Sequence, residues 1–136
     1  MLNGSPFTGT GVLVVDDDFR NVFALSALLE RGDATVTVAE NGPDAIAMLE
    51  QTPGIDIVLM DIMMPGMDGY AAIRAIRAID RFRAIPIIAV TGKVVNGERQ
   101  RCLDAGANGY VPKPVNTQEL LVAIKPWLRV PAPVTK

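Results

Sequence analysis

The chain has 136 residues, 49% of them hydrophobic, and its 13 Lys+Arg against 15 Asp+Glu give a formal net charge of −2. That balance fits one folded domain with a sizeable core and excludes a disordered chain. Lys and Arg form no block, which argues against a broad nucleic-acid or membrane-binding surface; no apolar run reaches spanning length, and the start lacks the form of a signal peptide.

Residues 1–10, rich in Gly, Ser and Thr, read as a flexible leader. The first strand, Val12–Val15, runs into Asp16-Asp17-Asp18, with Asp18 placed to cap a helix over Phe19–Arg31. Gly32-Asp33 turns the chain into strand Thr35–Ala39, and Asn41-Gly42 into helix Pro43–Gln51. After Pro53-Gly54 comes Ile55–Met60, short and rich in Ile and Val, the pattern of a buried parallel strand. It ends at Asp61, and Pro65-Gly66-Met67-Asp68-Gly69 then forces a turn into helix Asp68–Ile79. Strand Ile85–Val90 leads to Thr91, and a helix spans Asn96–Ala105. Gly106-Ala107-Asn108 precedes strand Gly109–Val111, Lys113-Pro114 and a last helix, Thr117–Leu128. Val130-Pro131-Ala132-Pro133 cannot continue that helix, so 130–136 reads as a tail or the start of a linker. Five βα repeats imply an α/β fold: a doubly wound, five-stranded parallel sheet with helices on both faces, one domain over 11–129.

Four features then arrive at the carboxyl edge of that sheet, where open α/β folds place their chemistry. They are Asp16 and Asp17 after the first strand, Asp61 after the third, Thr91 after the fourth and Lys113 after the fifth. Each alone has an ordinary explanation as a cap, a turn residue or a surface lysine. Their joint arrival at one edge is what carries information. Three clustered carboxylates repel one another and raise each other's pKa unless a hard cation is held between them. Asp61 would then be free to attack phosphorus, with Lys113 and Thr91 offering donors to the phosphoryl oxygens.

The chain has no histidine. This excludes Ser-His-Asp and Cys-His catalysis and histidine-bound zinc, and places any phosphohistidine on another protein. The single cysteine, Cys102, cannot form an internal disulfide, which fits a reducing cytosol; in a helical pattern it reads as a packed residue, not a nucleophile.

Val-Val-Asp-Asp-Asp at 14–18, Leu-Met-Asp-Ile-Met-Met-Pro-Gly-Met-Asp-Gly at 59–69, Ala-Val-Thr-Gly-Lys at 89–93 and Asp-Ala-Gly-Ala-Asn-Gly-Tyr-Val-Pro-Lys-Pro-Val at 104–115 resemble one family. It is the receiver domain of two-component response regulators and hybrid histidine kinases, and the likeness covers about Gly11 to Leu128. Asp-Asp-Asp-Phe-Arg-Asn at 16–21 with Thr-Gly-Lys leans toward the hybrid-kinase type. The resemblance implies a flavodoxin-like fold and a phosphoryl group passed to Asp61 from a histidine kinase or histidine phosphotransfer protein. It implies Mg²⁺, with Mn²⁺ able to substitute, held by Asp16, Asp17, Asp61 and the Met63 backbone carbonyl. Thr91 and Tyr110 would be the switch pair and the Lys113–Pro114 peptide would be cis. Gly92 departs from the usual Ala, which should keep the phosphoryl site open and free the loop.

Three expectations go beyond the family. Met63 and Lys93 flank the approach to Asp61 without a carboxylate or amide to position water, so the phosphoryl group should be long-lived. In the first helix Asn21, Ala24, Leu25, Leu28 and Leu29 form an inward stripe, leaving Phe19, Val22, Phe23 and Ser26 as a second stripe for a partner helix. Phosphorylation should re-shape the face made by the fourth helix, fifth strand and fifth helix, with Gly97 marking a mobile helix start and Trp127 a packing anchor. A cytoplasmic monomer or phosphorylation-dependent dimer, stand-alone or part of a hybrid kinase, fits this reading. It needs no direct contact with nucleic acid or membrane.

Competing readings fit less well. A haloacid-dehalogenase-type phosphatase puts its nucleophile after the first strand and usually adds a cap domain. A receiver fold that takes no phosphate would not need the full acidic, Thr and Lys set. A flavin-binding domain would need a phosphate-cradling first turn, where three acids stand here.

Overall fold

The computed structural model of the chain describes residues 6–64, 68–92 and 96–128. In chain order they form β1 (Gly11–Val15), α1 (Phe19–Arg31), β2 (Thr35–Ala39), α2 (Gly42–Gln51), β3 (Ile57–Asp61) and α3 (Gly69–Arg77). Then come β4 (Ile87–Thr91), α4 (Glu98–Ala105), β5 (Gly109–Pro112) and α5 (Thr117–Ile124), with 3-10 turns at Asp80–Phe82 and Lys125–Trp127. Every strand pair is parallel and the order is β2-β1-β3-β4-β5, the expected doubly wound sheet. The winding direction reverses between β1 and β3, and their carboxyl ends flank the crevice that such a reversal opens.

Period-2 alternation sorts the strand residues onto two faces. Leu13, Val15, Val58, Met60, Ile87 and Ala89 pack toward Leu49 of α2, Ile73 and Ile76 of α3 and Cys102 of α4. Val12, Val14, Ile57, Leu59, Ile88 and Val90 pack toward Leu25 and Leu29 of α1 and Leu120 and Ile124 of α5. Helix starts are fixed by side-chain caps: Asp18 accepts from Arg20 N, Asn41 from Asp44 N, Asp68 from Ala71 N and Asn116 from Glu119 N.

Several boundaries differ from the sequence reading, each for a local reason. β3 and β4 begin at Ile57 and Ile87 because the ladder register starts there, pairing Ile57 with Val12 and Ile87 with Val58. Asp61 and Thr91 are consequently the last residues of their strands and not the first beyond them. α5 ends as an α-helix at Ile124 and tightens into a 3-10 turn over Lys125–Trp127, since Pro126 has no N–H to continue the ladder. Trp127 is 39% exposed.

The expectation of a loose leader does not extend to Phe7. Its side chain is fully buried in the α1/α5 layer, its N–H donates to Gly32 O at 2.9 Å, and Thr10 N closes back on Phe7 O. The inward face of α1 also needs correction. Ala24 is exposed, whereas Val22 and Ser26 are half-buried. Val22 precedes Leu25 by three residues and Leu29 by seven, so it shares their side of the helix, and Ala24 falls outside it.

Candidate functional site

β1 and β3 end side by side and deliver their acids to one place. Asp16, 3% exposed, donates its N–H to Ala39 O, and its Oδ1 accepts from Asp18 N at 2.8 Å, which turns the chain into α1. Asp17, between them, is exposed. Asp61, 2% exposed, closes β3, and its Oδ1 accepts from Met63 N at 3.2 Å. α3 starts directly above this turn. A Cβ at Gly69 would stand 2.4 Å from the Asp61 carbonyl oxygen, so only glycine lets the helix approach so closely.

Lys113 reaches the acids from the far side of the sheet. Its N–H donates to Thr91 O at 2.8 Å, its following peptide is cis, and its Nζ lies 2.9 Å from Asp61 Oδ1 and 3.5 Å from Asp16 Oδ2. Burial pushes the Asp61 carboxyl above its ordinary range; Lys113 pulls it down and the Asp16 charge pushes it further up. For Lys113, burial favours the neutral amine, but its bond to Asp61 and the charges of Asp61 and Asp16 outweigh that and hold it protonated above its usual range. One carboxylate oxygen each from Asp16, Asp17 and Asp61 lie within 4.8 Å of one another. An all-carboxylate set with exposed Asp17 open to water is a donor set for a hard divalent cation.

Thr91 is fully buried at the end of β4, and its Oγ1 stands 3.5 Å from Glu98 Oε2. Tyr110 is half-buried on β5; it pairs in register with Ala89, two residues before Thr91, so the two side chains share one face of the sheet. A Cβ at Gly92 would touch none of the described residues within 4 Å. Met63 is 52% exposed beside Asp61; Lys93 lies outside the described residues. Phe19 and Phe23 project at 80% and 70% exposure, which leaves the second stripe of α1 as two aromatics beside the acids. Next to them a groove of about 120 Å³ runs between α1 (Asn21, Ala24, Leu28) and Pro114–Val115, and Asp16 and Lys113 line it too.

The sequence reading missed Glu98 and Tyr70. Glu98 is 1% exposed and accepts the Tyr70 hydroxyl in a short hydrogen bond. Glu98, Cys102 and Ala105 follow i, i+4, i+7 spacing and are the buried residues of α4. A charged residue in the place of an apolar one on that stripe was the available signal.

The family model for the response regulator receiver domain matches residues 12–125. A curated relative, the sensor protein GacS of Pseudomonas syringae pv. syringae, is 38% identical over 90% of this chain, which spans 14% of that protein's length. The receiver domain of sensor histidine kinase PA1611 of Pseudomonas aeruginosa PAO1, solved with a magnesium ion in its active-site cleft, is 37% identical, with a TM-score of 0.79 over 88% of this chain and 98% of that one. The Saccharomyces cerevisiae receiver domain of Ssk1, solved with the histidine phosphotransfer protein Ypd1, is 26% identical, with a TM-score of 0.79 over 89% of this chain and 90% of that one.

Proposed function

Because the chain belongs to the response regulator receiver domain family of two-component signalling, we propose that it takes a phosphoryl group onto Asp61 from a partner's phosphohistidine. The observation that carries this reading is the Lys113 Nζ–Asp61 Oδ1 bond at 2.9 Å beside acidic oxygens within 4.8 Å of each other. Asp61 supplies a carboxylate oxygen that forms the new P–O bond. The P–N bond breaks, and the departing imidazole keeps its electron pair and takes a proton from solvent. Lys113 shifts from carboxylate to phosphoryl oxygen, and the Thr91 hydroxyl donates to another. Asp16, Asp17, Asp61 and the Met63 carbonyl would hold Mg²⁺, which when bound offsets the carboxylate charge and the charge of the phosphoryl oxygens. The relative solved with magnesium supports that choice of metal.

Docking falls to Phe19, Phe23 and the flanking groove, because a histidine must come within bonding reach of Asp61 from the α1 side. The complex of the Ssk1 receiver with a phosphotransfer protein supports a partner of that kind. Output would follow from Thr91 moving toward the phosphoryl group and Tyr110 following, altering the α4–β5–α5 face. No helix among the described residues is long and apolar enough to cross a membrane; we place the domain in the cytoplasm, as a signalling phosphoacceptor with slow self-hydrolysis and not a turnover enzyme.

The test is exposure to acetyl phosphate with Mg²⁺ while intact mass is followed. One phosphoryl adduct is expected, absent in Asp61→Asn and in the presence of a chelator. An adduct that survives Asp61→Asn would overturn the assignment.

A further inference from the structure

A glutamate in the first turn of a helix ordinarily faces water, where it offsets the positive end of the helix dipole. Glu98 does not. It is buried, and its Oε2 takes donors from three elements: the Tyr70 hydroxyl of α3, Thr91 Oγ1 of β4 at 3.5 Å and Cys102 Sγ of α4 at 3.8 Å. Its Oε1 has no partner among the described residues. Burial, reinforced by the Glu98 charge, raises the Tyr70 hydroxyl well above its usual range and the Cys102 thiol to about 11, so both stay protonated donors. The Arg101 guanidinium lies 4.5 Å from the Tyr70 ring centre and covers the pair. The start of α4 has no side-chain cap: Gly97 sits at φ 87 in the cap position and offers no side-chain bond.

We propose that Glu98 is a positioning residue of the phosphoacceptor reaction, holding the Thr91 hydroxyl and the first turn of α4 in the resting arrangement. This rests on Asp61 as the phosphoacceptor and Thr91 as the residue that answers it. A hydroxyl has one proton to donate. Thr91 can give it to Glu98 or to a phosphoryl oxygen, but not to both. Phosphorylation therefore has to take Thr91 from Glu98, which removes one of the contacts that fasten α4. Glu98 thus biases the resting state against the state that accepts phosphate, and links the chemistry at Asp61 to the start of α4.

The test compares phosphorylation rates with sub-saturating acetyl phosphate and Mg²⁺ for the native chain, Glu98→Gln and Glu98→Met. Glutamine keeps an acceptor oxygen and should stay within about twofold of the native rate; methionine fills the space without one and should speed adduct formation about tenfold. Mg²⁺ affinity should be unchanged in both. If the lone methionine fails to fold, Tyr70→Phe/Glu98→Met removes the orphaned hydroxyl as well and is expected to show the same gain. A folded methionine variant, single or double, at or below the native rate would overturn the inference and leave Glu98 a structural anchor. Absence of an adduct on the native chain would instead overturn the phosphoacceptor reading itself.

Discussion

Lys113 Nζ lies 2.9 Å from Asp61 Oδ1 and 3.5 Å from Asp16 Oδ2, so a single ammonium serves two buried carboxylates. The site carries more negative charge than it can neutralise from its own residues. Asp61→Asn removes one of the competing charges and leaves Asp16 paired with Lys113. In a chelator, urea denaturation should show this variant more stable than the native chain by about 1–3 kcal/mol. Mg²⁺ should narrow that gap, because the native chain gains more from binding it; a cation at a hundred times its Kd adds about 2.7 kcal/mol. A destabilised Asp61→Asn protein would mean that the Lys113–Asp61 bond outweighs burial and repulsion.

Arg77 fastens the opposite end of the sheet. Its Nε donates to Gly106 O at 2.9 Å, Nη1 to Phe82 O at 3.0 Å and Ile85 O at 2.6 Å, and Nη2 to Asn108 Oδ1 at 2.8 Å. Asn108 in turn accepts from Ile87 N, so one side chain ties α3 to the segments that enter β4 and β5. Burial lowers the Arg77 pKa, yet the guanidinium remains charged at neutral pH. Arg77→Met should cost about 2–4 kcal/mol in thermal or chemical unfolding, since it orphans several carbonyls at once. Arg77→Lys should recover only part of that, because an ammonium cannot reproduce the fork. A loss below about 0.5 kcal/mol, the range of ordinary surface substitutions, would show that water replaces the network freely.

Phe7 and Gly32 form a fitted pair. A Cβ on Gly32 would stand 2.4 Å from Phe7 Cδ2, and the Phe7 ring is 1% exposed. Phe7→Ala should destabilise the domain by about 3 kcal/mol and Gly32→Ala by about 1–3 kcal/mol. Phe7→Leu should lessen the damage of Gly32→Ala, a coupling that calorimetry of the double variant would read. Independent losses would show that the ring moves aside at no cost.

The fold was legible because its signals are periodic and local. β3 and β4 are apolar up to their last residues, Asp61 and Thr91, as strands covered on both faces must be, and turn residues separate each unit from the next. Asp16, Asp61, Thr91 and Lys113 could be placed at one edge because a parallel sheet puts the end of every strand on the same side. Phe7 was missed since a single aromatic in a Gly/Ser/Thr-rich stretch carries no period, and its partner is a glycine 25 residues on. Ala24 was misplaced because alanine sits on either face of a helix, and only its neighbours decide. Glu98 stayed hidden because its burial depends on Tyr70, 28 positions away.

Met63 donates its N–H to Asp61 Oδ1, and the residue is 52% exposed. A thioether neither activates nor orients a water molecule, so hydrolysis of an Asp61 phosphoryl group should be slow, on a scale of minutes or longer. Met63→Asn combined with Lys93→Glu introduces an amide and a carboxylate at the two positions that the sequence reading sets on the approach to Asp61. The half-life of the adduct, followed by intact mass after removal of the donor, should shorten severalfold. An unchanged half-life would show that access to Asp61 is governed elsewhere.

Phe23 is 70% exposed on α1, one turn from Phe19 at 80%, on the face proposed above to receive a partner's histidine. Two neighbouring exposed aromatics are costly in water and suited to the centre of an interface, where such anchors carry most of the binding energy. Phe23→Glu should slow phosphotransfer from a phosphohistidine protein by about tenfold or more, the effect of losing one anchor. Because Phe23 does not line the acidic site, its loss should leave phosphorylation by acetyl phosphate at the native rate. Parallel time courses with the two donors separate the cases: an equal fall with both would assign Phe23 to the fold, and no fall with either would move the docking face away from α1.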